Sequence, residues 1–359
     1  MSTASDCPHR IGSRHDPHAQ AREARRQPLL LHSMSVYREL FEVIFEHRTI
    51  TTIVEIGVES GHGSAMYAEL GASDVYCVEP EPSDELRAYA CEHDALHLVE
   101  IPSPKALETI PPADLYIVDG DHNYAVVRRE LDWILTHAPD AVIVLHDVLW
   151  PCARRDLYYE PLSIPPEERH PASADGPTVW QDELTPAGLV GLGAFRTAEH
   201  AGGERNGVMT AVEDALEQSD DRWHCELVPA VFGLGVLVRR TDISADKLLE
   251  ALRPYGRSRL LAAMENNRIA LYTRVLQLQY EAAAHAMDAD RLAEEIARAS
   301  SEKNNIATAL DDAVARHSAE MESLRRKNNL LEQQIEELAN RTIASRVRTL
   351  FRRGATRGS

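Results

Sequence analysis

No apolar run in this 359-residue chain approaches the roughly 20 residues that a membrane-spanning helix needs, so a helical membrane protein is excluded. Cysteine is scarce and scattered: Cys7, Cys77, Cys91, Cys152 and Cys225 are odd in number and contain no C-x-x-C pair. That excludes a disulfide framework and a thiolate zinc site, and implies reduced thiols in a cytoplasmic protein. Basic residues are in deficit, 38 against 57 acids, for a formal charge of −19. Such a chain repels a phosphate backbone, so nucleic acid is not an expected partner. Residues 1–31 mix Arg, His, Pro and acids without an apolar h-region. They read as a disordered leader and not as a signal peptide.

From residue 32 to about 243 the pattern is that of one α/β domain. "HSMSVYRELFEVIFEHR" places Met34, Tyr37, Leu40, Phe41, Ile44 and Phe45 on one helical face. Five apolar runs follow: "TIVEIG", "DVYCVEP", "LHLVEIP", "ADLYIVDG" and "DAVIVLHDV". They alternate with helical segments at Ser64–Leu70, Ser83–His93, Lys105–Ile110 and Tyr124–His137. Near-continuous apolar strands between helices predict a doubly wound, Rossmann-like, mostly parallel sheet covered on both faces. "WHCELVPA" and "GLGVLVRR", joined by a short connection, predict a C-terminal antiparallel hairpin. Residues 151–205 interrupt this pattern with a Pro- and Gly-rich insert, and residues 244–342 turn helical.

The segment "TIVEIGVESGHGSAM", Thr52 to Met66, is the first with chemical content. In an open parallel sheet, ligands bind beyond the carboxyl ends of the strands. Glycines at the first such turn, Gly57, Gly61 and Gly63, permit positive φ and close approach. The spacing is not the G-x-G-x-x-G of a dinucleotide site, which argues against a hydride-transferring enzyme. A carboxylate before the turn, Glu55, disfavours a pyrophosphate and suits a cationic ligand. Glu79, at the end of the second strand, is placed to accept from ribose hydroxyls.

These residues resemble the E-x-G-x-x-x-G-x-G motif of class I S-adenosylmethionine (SAM)-dependent methyltransferases, over roughly Ser33 to Arg240. The resemblance implies SAM as cofactor, with Glu55, Gly57, Gly61, Gly63, Ser64 and Glu79 as its binding residues. The fourth and fifth strands end in "DGDHNY" and "LHDVLW". Adjacent strands would bring Asp119 and the His146–Asp147 pair to one rim, where carboxylates and an imidazole suit Mg²⁺ or Mn²⁺. The pattern is similar to metal-dependent macrolide-sugar O-methyltransferases and the cephalosporin-hydroxylase-like group, and less closely to the catechol and caffeoyl-CoA type. The resemblance implies Asp119 and Asp147 as metal ligands and His122 as general base, with His146 the third candidate ligand from its place on the rim. His146 departs from the resemblance, since an acid is usual there. The implied reaction is methyl transfer to a hydroxyl of a sugar or small polyhydroxylated acceptor. The structural alternatives are rim histidines bonded to backbone carbonyls, with Asp121 capping the next helix and Glu130 and Asp132 on its solvated face.

An insert this long after a fifth strand suits a lid over a small-molecule or glycan acceptor. Arg154, Arg155, Tyr158 and Tyr159 are its candidate contacts. From Leu310 the apolar spacing becomes heptad, with Val314, Met321, Asn328 and Ile335 at a and Leu324, Leu331 and Leu338 at d. Leu at d with one Asn at a favours a parallel two-stranded coil, and hence a homodimer. Residues 343–359 form a basic tail; counted from Arg341, "RTIASRVRTLFRRGATRGS" carries six Arg and no acid. Ile343, Val347, Leu350 and Phe351 share one helical face there, a pattern suited to weak contact with an anionic membrane surface. The competing reading is a scaffold whose SAM domain is vestigial and whose coil carries the role.

Overall fold

In a computed structural model of the protein, the described residues are 16, 18–26, 34–58, 61–162, 164–219, 222–240 and 243–355. The chain divides into two compact units, Met1–Glu281 and Ala282–Ser359. Within the expected leader only residues 16 and 18–26 are described, the rest of the leader lying outside the described residues, and α1, Ala19–Arg26, is helical there. Its Ala, Arg, Glu and Gln residues are strong helix formers, and Arg22 pairs with Asp16 beside it.

The first unit is built on a seven-stranded sheet. In chain order its elements are α2 (Arg38–His47), β1 (Thr52–Ile56), α3 (His62–Leu70), β2 (Asp74–Val78), α4 (Asp84–Cys91) and β3 (Leu96–Val99). Then come β4 (Leu115–Val118), α5 (Tyr124–His137), β5 (Val142–His146), and, in the insert, β6 (Leu157–Tyr159), β7 (Ala172–Ser173) and β8 (Phe195–Ala198). α6 (Val208–Gln218), β9 (Trp223–Val228), β10 (Leu234–Arg239) and α7 (Ile243–Gly256) complete the unit before α8 (Arg259–Ala355). The strand order is β3-β2-β1-β4-β5-β10-β9. The first five are parallel, and β10 runs antiparallel to both β5 and β9. The expected parallel sheet and terminal hairpin are both present.

Strand alternation divides the core. Ile53, Val75, Leu115, Ile117 and Val144 face one layer, with Leu40, Phe41 and Ile44 of α2, Leu86 of α4 and Leu248 and Leu252 of α7. Val54, Ile56, Tyr116, Val118, Ile143 and Leu145 face the other, with Val127, Leu131 and Ile134 of α5 and Ala211 and Val212 of α6. Each fully buried aliphatic side chain here contributes roughly 1.5–3 kcal/mol. Order reverses between β1 and β4, so the loops after these strands splay apart and leave a cleft at their carboxyl ends.

The insert forms a small antiparallel sheet in the order β6-β8-β7. Asp156 fastens it to the rest. The buried Asp156 carboxylate accepts from the Tyr124 N–H at 2.8 Å, the Gly207 N–H at 2.6 Å and the Tyr158 hydroxyl at 2.8 Å. One residue thus satisfies an orphan donor at the start of α5 and ties both ends of the insert to it. The β9–β10 loop is tied likewise. Glu265 of α8 accepts from the N–H groups of Val231 and Phe232 at 3.0 and 2.8 Å, and the Phe232 carbonyl receives the Leu149 N–H at 2.8 Å.

α8 is one continuous helix of 97 residues. Val314, Met321, Leu324, Leu331, Ile335 and Leu338, the apolar heptad positions, are all exposed on the isolated chain. Ile343 and Val347 are exposed as well, and the side chains of Leu350 and Phe351 lie outside the described residues. No helix among the described residues is long and apolar enough to cross a membrane.

Candidate active site

The cleft encloses about 750 Å³ and is bounded by the ends of β1, β2, β4 and β5. Gly57, Glu79, Asp119, Asp121, His122, His146, Asp147 and Tyr159 all line it. The residues that follow β4 and β5 meet because the two strands are parallel neighbours with Val118 beside Leu145. Asp119 and His146 therefore stand one step beyond register partners at the same rim.

The His146 imidazole sits between two carboxylates. Its Nδ1 is 3.0 Å from Asp119 Oδ1 and 3.3 Å from Asp147 Oδ2, while its buried Nε2 has no partner. Burial opposes charge on the ring, but the Asp119 and Asp147 carboxylates outweigh it and hold the imidazole well above its ordinary pKa. Asp147 adopts φ 57, a left-handed conformation that Asp tolerates at a cost of about 1 kcal/mol. That turn directs its carboxylate back into the cleft, where Oδ2 also lies 3.4 Å from His122 Nε2. Tyr37, 6.0 Å from His146 ring to ring and edge-on, closes the site from the segment before α2; its hydroxyl donates to the Ala230 carbonyl at 2.6 Å. One oxygen or nitrogen from each of Asp119, His146 and Asp147 lies within 4.8 Å of the others. Two carboxylates and one imidazole at this spacing fit a single hard divalent cation.

The glycine turn has an internal explanation. A Cβ on Gly57, at φ +82, would stand 2.3 Å from the Asp119 carbonyl oxygen, because the β1 turn crosses the β4 turn there. A Cβ on Gly63 would stand 2.9 Å from Glu55 Oε1. Glu55 lies on the sheet face covered by α3 and is buried; it accepts from the Ser64 hydroxyl and, at 3.2 Å, from the Tyr67 hydroxyl. Burial pushes this carboxyl up to about 8, against the pull of those two hydroxyls. Glu55, Gly61, Gly63 and Ser64 are not among the cleft-lining residues, whereas Gly57 is. Glu79 is there too; its carboxylate receives weak donations from the Val58 and Glu81 N–H groups, both at 3.4 Å.

Of the four insert residues expected at the acceptor, the structure brings only Tyr159 to the cleft, with its ring centroid 5.9 Å from that of His122. Arg154 makes a bidentate pair with Glu213 of α6, both contacts at 2.6 Å. Arg155 is buried and donates to the carbonyls of Ala198, Glu199 and Asp182. Tyr158 is buried on Asp156 and accepts from the His170 N–H. Both arginines line a separate cavity of about 880 Å³ within the insert, which holds none of the Asp–His–Asp cluster.

Two expectations for α5 are corrected. Its cap is Asn123, whose side chain accepts from the Val126 N–H at 3.0 Å; Asp121 points into the cleft, where burial raises its pKa and His122 pulls it back. Glu130 is not solvated: it is fully buried and lines the cleft with Ser103. Helical spacing carried this signal, since Glu130 falls in the stripe Val126, Val127, Leu131, Ile134 that faces the core. Glu81 and Glu160 also border the cleft and have no sequence signal beyond following a strand.

Residues 54–148 match the family described as a methyltransferase domain. No curated protein matches the chain. Among solved structures, an O-methyltransferase from Bacillus cereus in complex with SAH is 14% identical, with 62% of this chain and 88% of that chain covered and a TM-score of 0.35. The 1,6-didemethyltoxoflavin-N1-methyltransferase of Burkholderia thailandensis is 12% identical, covering 62% and 83%, with a TM-score of 0.34. An rRNA methylase from Streptococcus thermophilus is 9% identical, covering 59% and 99%, with a TM-score of 0.33. None of these likenesses bears on substrate.

Proposed function

We propose that the protein, whose residues 54–148 match a methyltransferase-domain family, is a SAM-dependent enzyme that methylates a hydroxyl of a sugar or small polyhydroxylated acceptor with the help of one divalent cation. The observation that carries this reading is the Asp119–His146–Asp147 cluster, with His122 beside it, on the rim of the same cleft as Glu79. Asp119, His146 and Asp147 would hold the cation, which when bound supplies charge to lower the pKa of a hydroxyl and to fix its position. His122 takes the hydroxyl proton, since an imidazole suits that role at neutral pH. Asp147, 3.4 Å from its Nε2, orients the ring and stabilises it once charged. Glu79 accepts from the cofactor's ribose hydroxyls. Tyr159 walls the reaction space beside His122. Holding the two reactants in line can account for roughly 7–11 kcal/mol of barrier.

The lining also restricts the acceptor. Glu79, Glu81, Asp119, Asp121, Glu130, Asp147 and Glu160 border the cleft, and among the described residues no lysine or arginine does. Such a field favours a neutral polyol and repels acceptors carrying phosphate or carboxylate. A second element of the proposal concerns the exposed heptad stripe of α8. Its apolar positions are buried if two copies pair in parallel, so a homodimer is the proposed assembly. A scaffold role through this coil is the rival reading, and weak attachment of the basic end to anionic membranes is proposed on the same helix.

Calorimetry with SAM product analogue and Mg²⁺ tests the core. SAH is expected to bind the wild type, and transfer of a labelled methyl group to polyol acceptors to fall on chelation by EDTA. Absence of SAH binding would leave the scaffold reading; a rate indifferent to EDTA would remove the cation and leave His122 as the sole activator.

A further inference from the structure

The turn between β9 and β10 touches the Asp119–His146–Asp147 cluster from two sides. β10 enters the sheet with Leu234 opposite His146. Just before it, the Gly233 and Phe232 carbonyls accept from the N–H groups of Val148 at 3.4 Å and Leu149 at 2.8 Å, the two residues that follow Asp147. On the other side, the Ala230 and Val231 carbonyls accept from the Tyr37 hydroxyl at 2.6 and 3.1 Å, and the Tyr37 ring stands edge-on to His146. The turn is not one that its own sequence favours. Val231 and Phe232 adopt φ 42 and φ 64, left-handed values that branched and aromatic side chains rarely take. Such a conformation persists only where its surroundings hold it.

That hold comes from α8. The buried Glu265 carboxylate, in the second turn of the helix, accepts from both left-handed residues, one oxygen for each N–H, at 3.0 Å from Val231 and 2.8 Å from Phe232. Arg268, one turn on, donates to both of its oxygens at 2.7 Å and lays its guanidinium 4.3 Å from the centre of the Phe232 ring. We propose that Glu265 is a positioning residue for the Asp119–His146–Asp147 centre: by locking the β9–β10 turn it sets Tyr37 against His146 and grips the backbone that carries Asp147. The inference rests on the reading of that cluster as a cation site. Asp147 is itself left-handed, at φ 57, so the aim of its carboxylate depends on what holds Val148 and Leu149. A carboxylate suits the task because its two oxygens take both N–H groups and the guanidinium together. An amide would present one oxygen and set its N–H₂ against the second N–H. The base of α8 thus belongs to the catalytic machinery, although the rest of the helix lies outside the α/β layers.

The test is Mn²⁺ binding to the full-length protein, followed as loss of the free-ion electron paramagnetic resonance signal. The wild type is expected to bind the ion. Glu265→Gln is expected to weaken binding by about tenfold or more, the usual cost of removing a group that orients metal ligands. Tyr37→Phe, which removes only the hydroxyl and keeps the ring, is expected to weaken it by a smaller factor and carries the test if Glu265→Gln does not fold. Ile134→Ala opens a cavity in the other layer of the core, lowers stability without touching the turn, and is expected to bind Mn²⁺ as the wild type does. Wild-type affinity in folded Glu265→Gln, or in Tyr37→Phe where the first variant does not fold, would overturn the positioning role while leaving the cation centre in place. An equal loss in Ile134→Ala would do the same, by tracing the effect to stability alone. A wild type that binds no Mn²⁺ would overturn the cation reading and this role with it.

Discussion

Replacing Glu55 with Gln should flatten the pH dependence of folding stability. The carboxyl ionises near 4.5 in the unfolded chain and is pushed up to about 8 by burial in the fold. Between these values the native protein holds a proton that unfolding releases. Stability therefore falls as pH rises across that window, by about 1.4 kcal/mol per pH unit for one group. From about pH 5.5 to about pH 7.5 the loss attributable to Glu55 is ~3 kcal/mol, a large share of the roughly 5–15 kcal/mol that holds a domain folded. Gln keeps an oxygen to accept from Ser64 or Tyr67 and carries no proton to release. Urea unfolding of wild type and Glu55→Gln at both pH values isolates this term, because every other titrating group is common to the pair. The variant should lose ~3 kcal/mol less than wild type over the interval. Parallel profiles would mean that Glu55 is already ionised in the fold, and its role as a negative charge for a cationic ligand would then stand.

Three further outcomes follow from the same geometry. His122→Ala should lower methyl transfer by about 10²–10⁴-fold with SAH affinity unchanged, whereas Asp119→Ala and Asp147→Ala should also abolish any stimulation by Mg²⁺, both read with labelled SAM. Gly57→Ala should destabilise the protein by about 2 kcal/mol or more, seen as a lowered urea midpoint, because its Cβ meets the Asp119 carbonyl at 2.3 Å at a φ of +82. Removal of residues 282–359 should convert a dimer to a monomer by light scattering while leaving methyl transfer to a soluble acceptor in place; a monomeric full-length protein would refute the pairing.

The sheet was legible because its parallel strands are apolar on both faces and the helices between them carry strong periodicity. Tyr124–His137 has the same bounds in the sequence reading and in the structure. Asp119, His146 and Asp147 were legible for a different reason: residues just past adjacent parallel strands share a rim whatever the loops do. The insert resisted, since its arrangement is set by one buried carboxylate, Asp156, whose partners lie 32 and 51 residues away. Local sequence gives no measure of such contacts. Arg154 and Arg155 are adjacent to the site in sequence, yet one is held by Glu213 and the other by three carbonyls.

The two buried glutamates show how position, not burial, decides which carboxyl faces the cleft. Each occupies a core-facing position of its element, Glu55 by strand alternation and Glu130 by helical spacing. Each has a carboxyl whose pKa burial raises. Glu55 has its oxygens occupied by Ser64 and Tyr67, and Gly63 leaves the space for them. Its desolvation is offset within the chain, so its effect should appear in stability alone. Glu130 has the Ser103 hydroxyl beside it and borders the cleft. The motif that first draws attention to Glu55 thus marks the glutamate that braces β1 against α3, while the one that borders the cleft sits without a motif on α5.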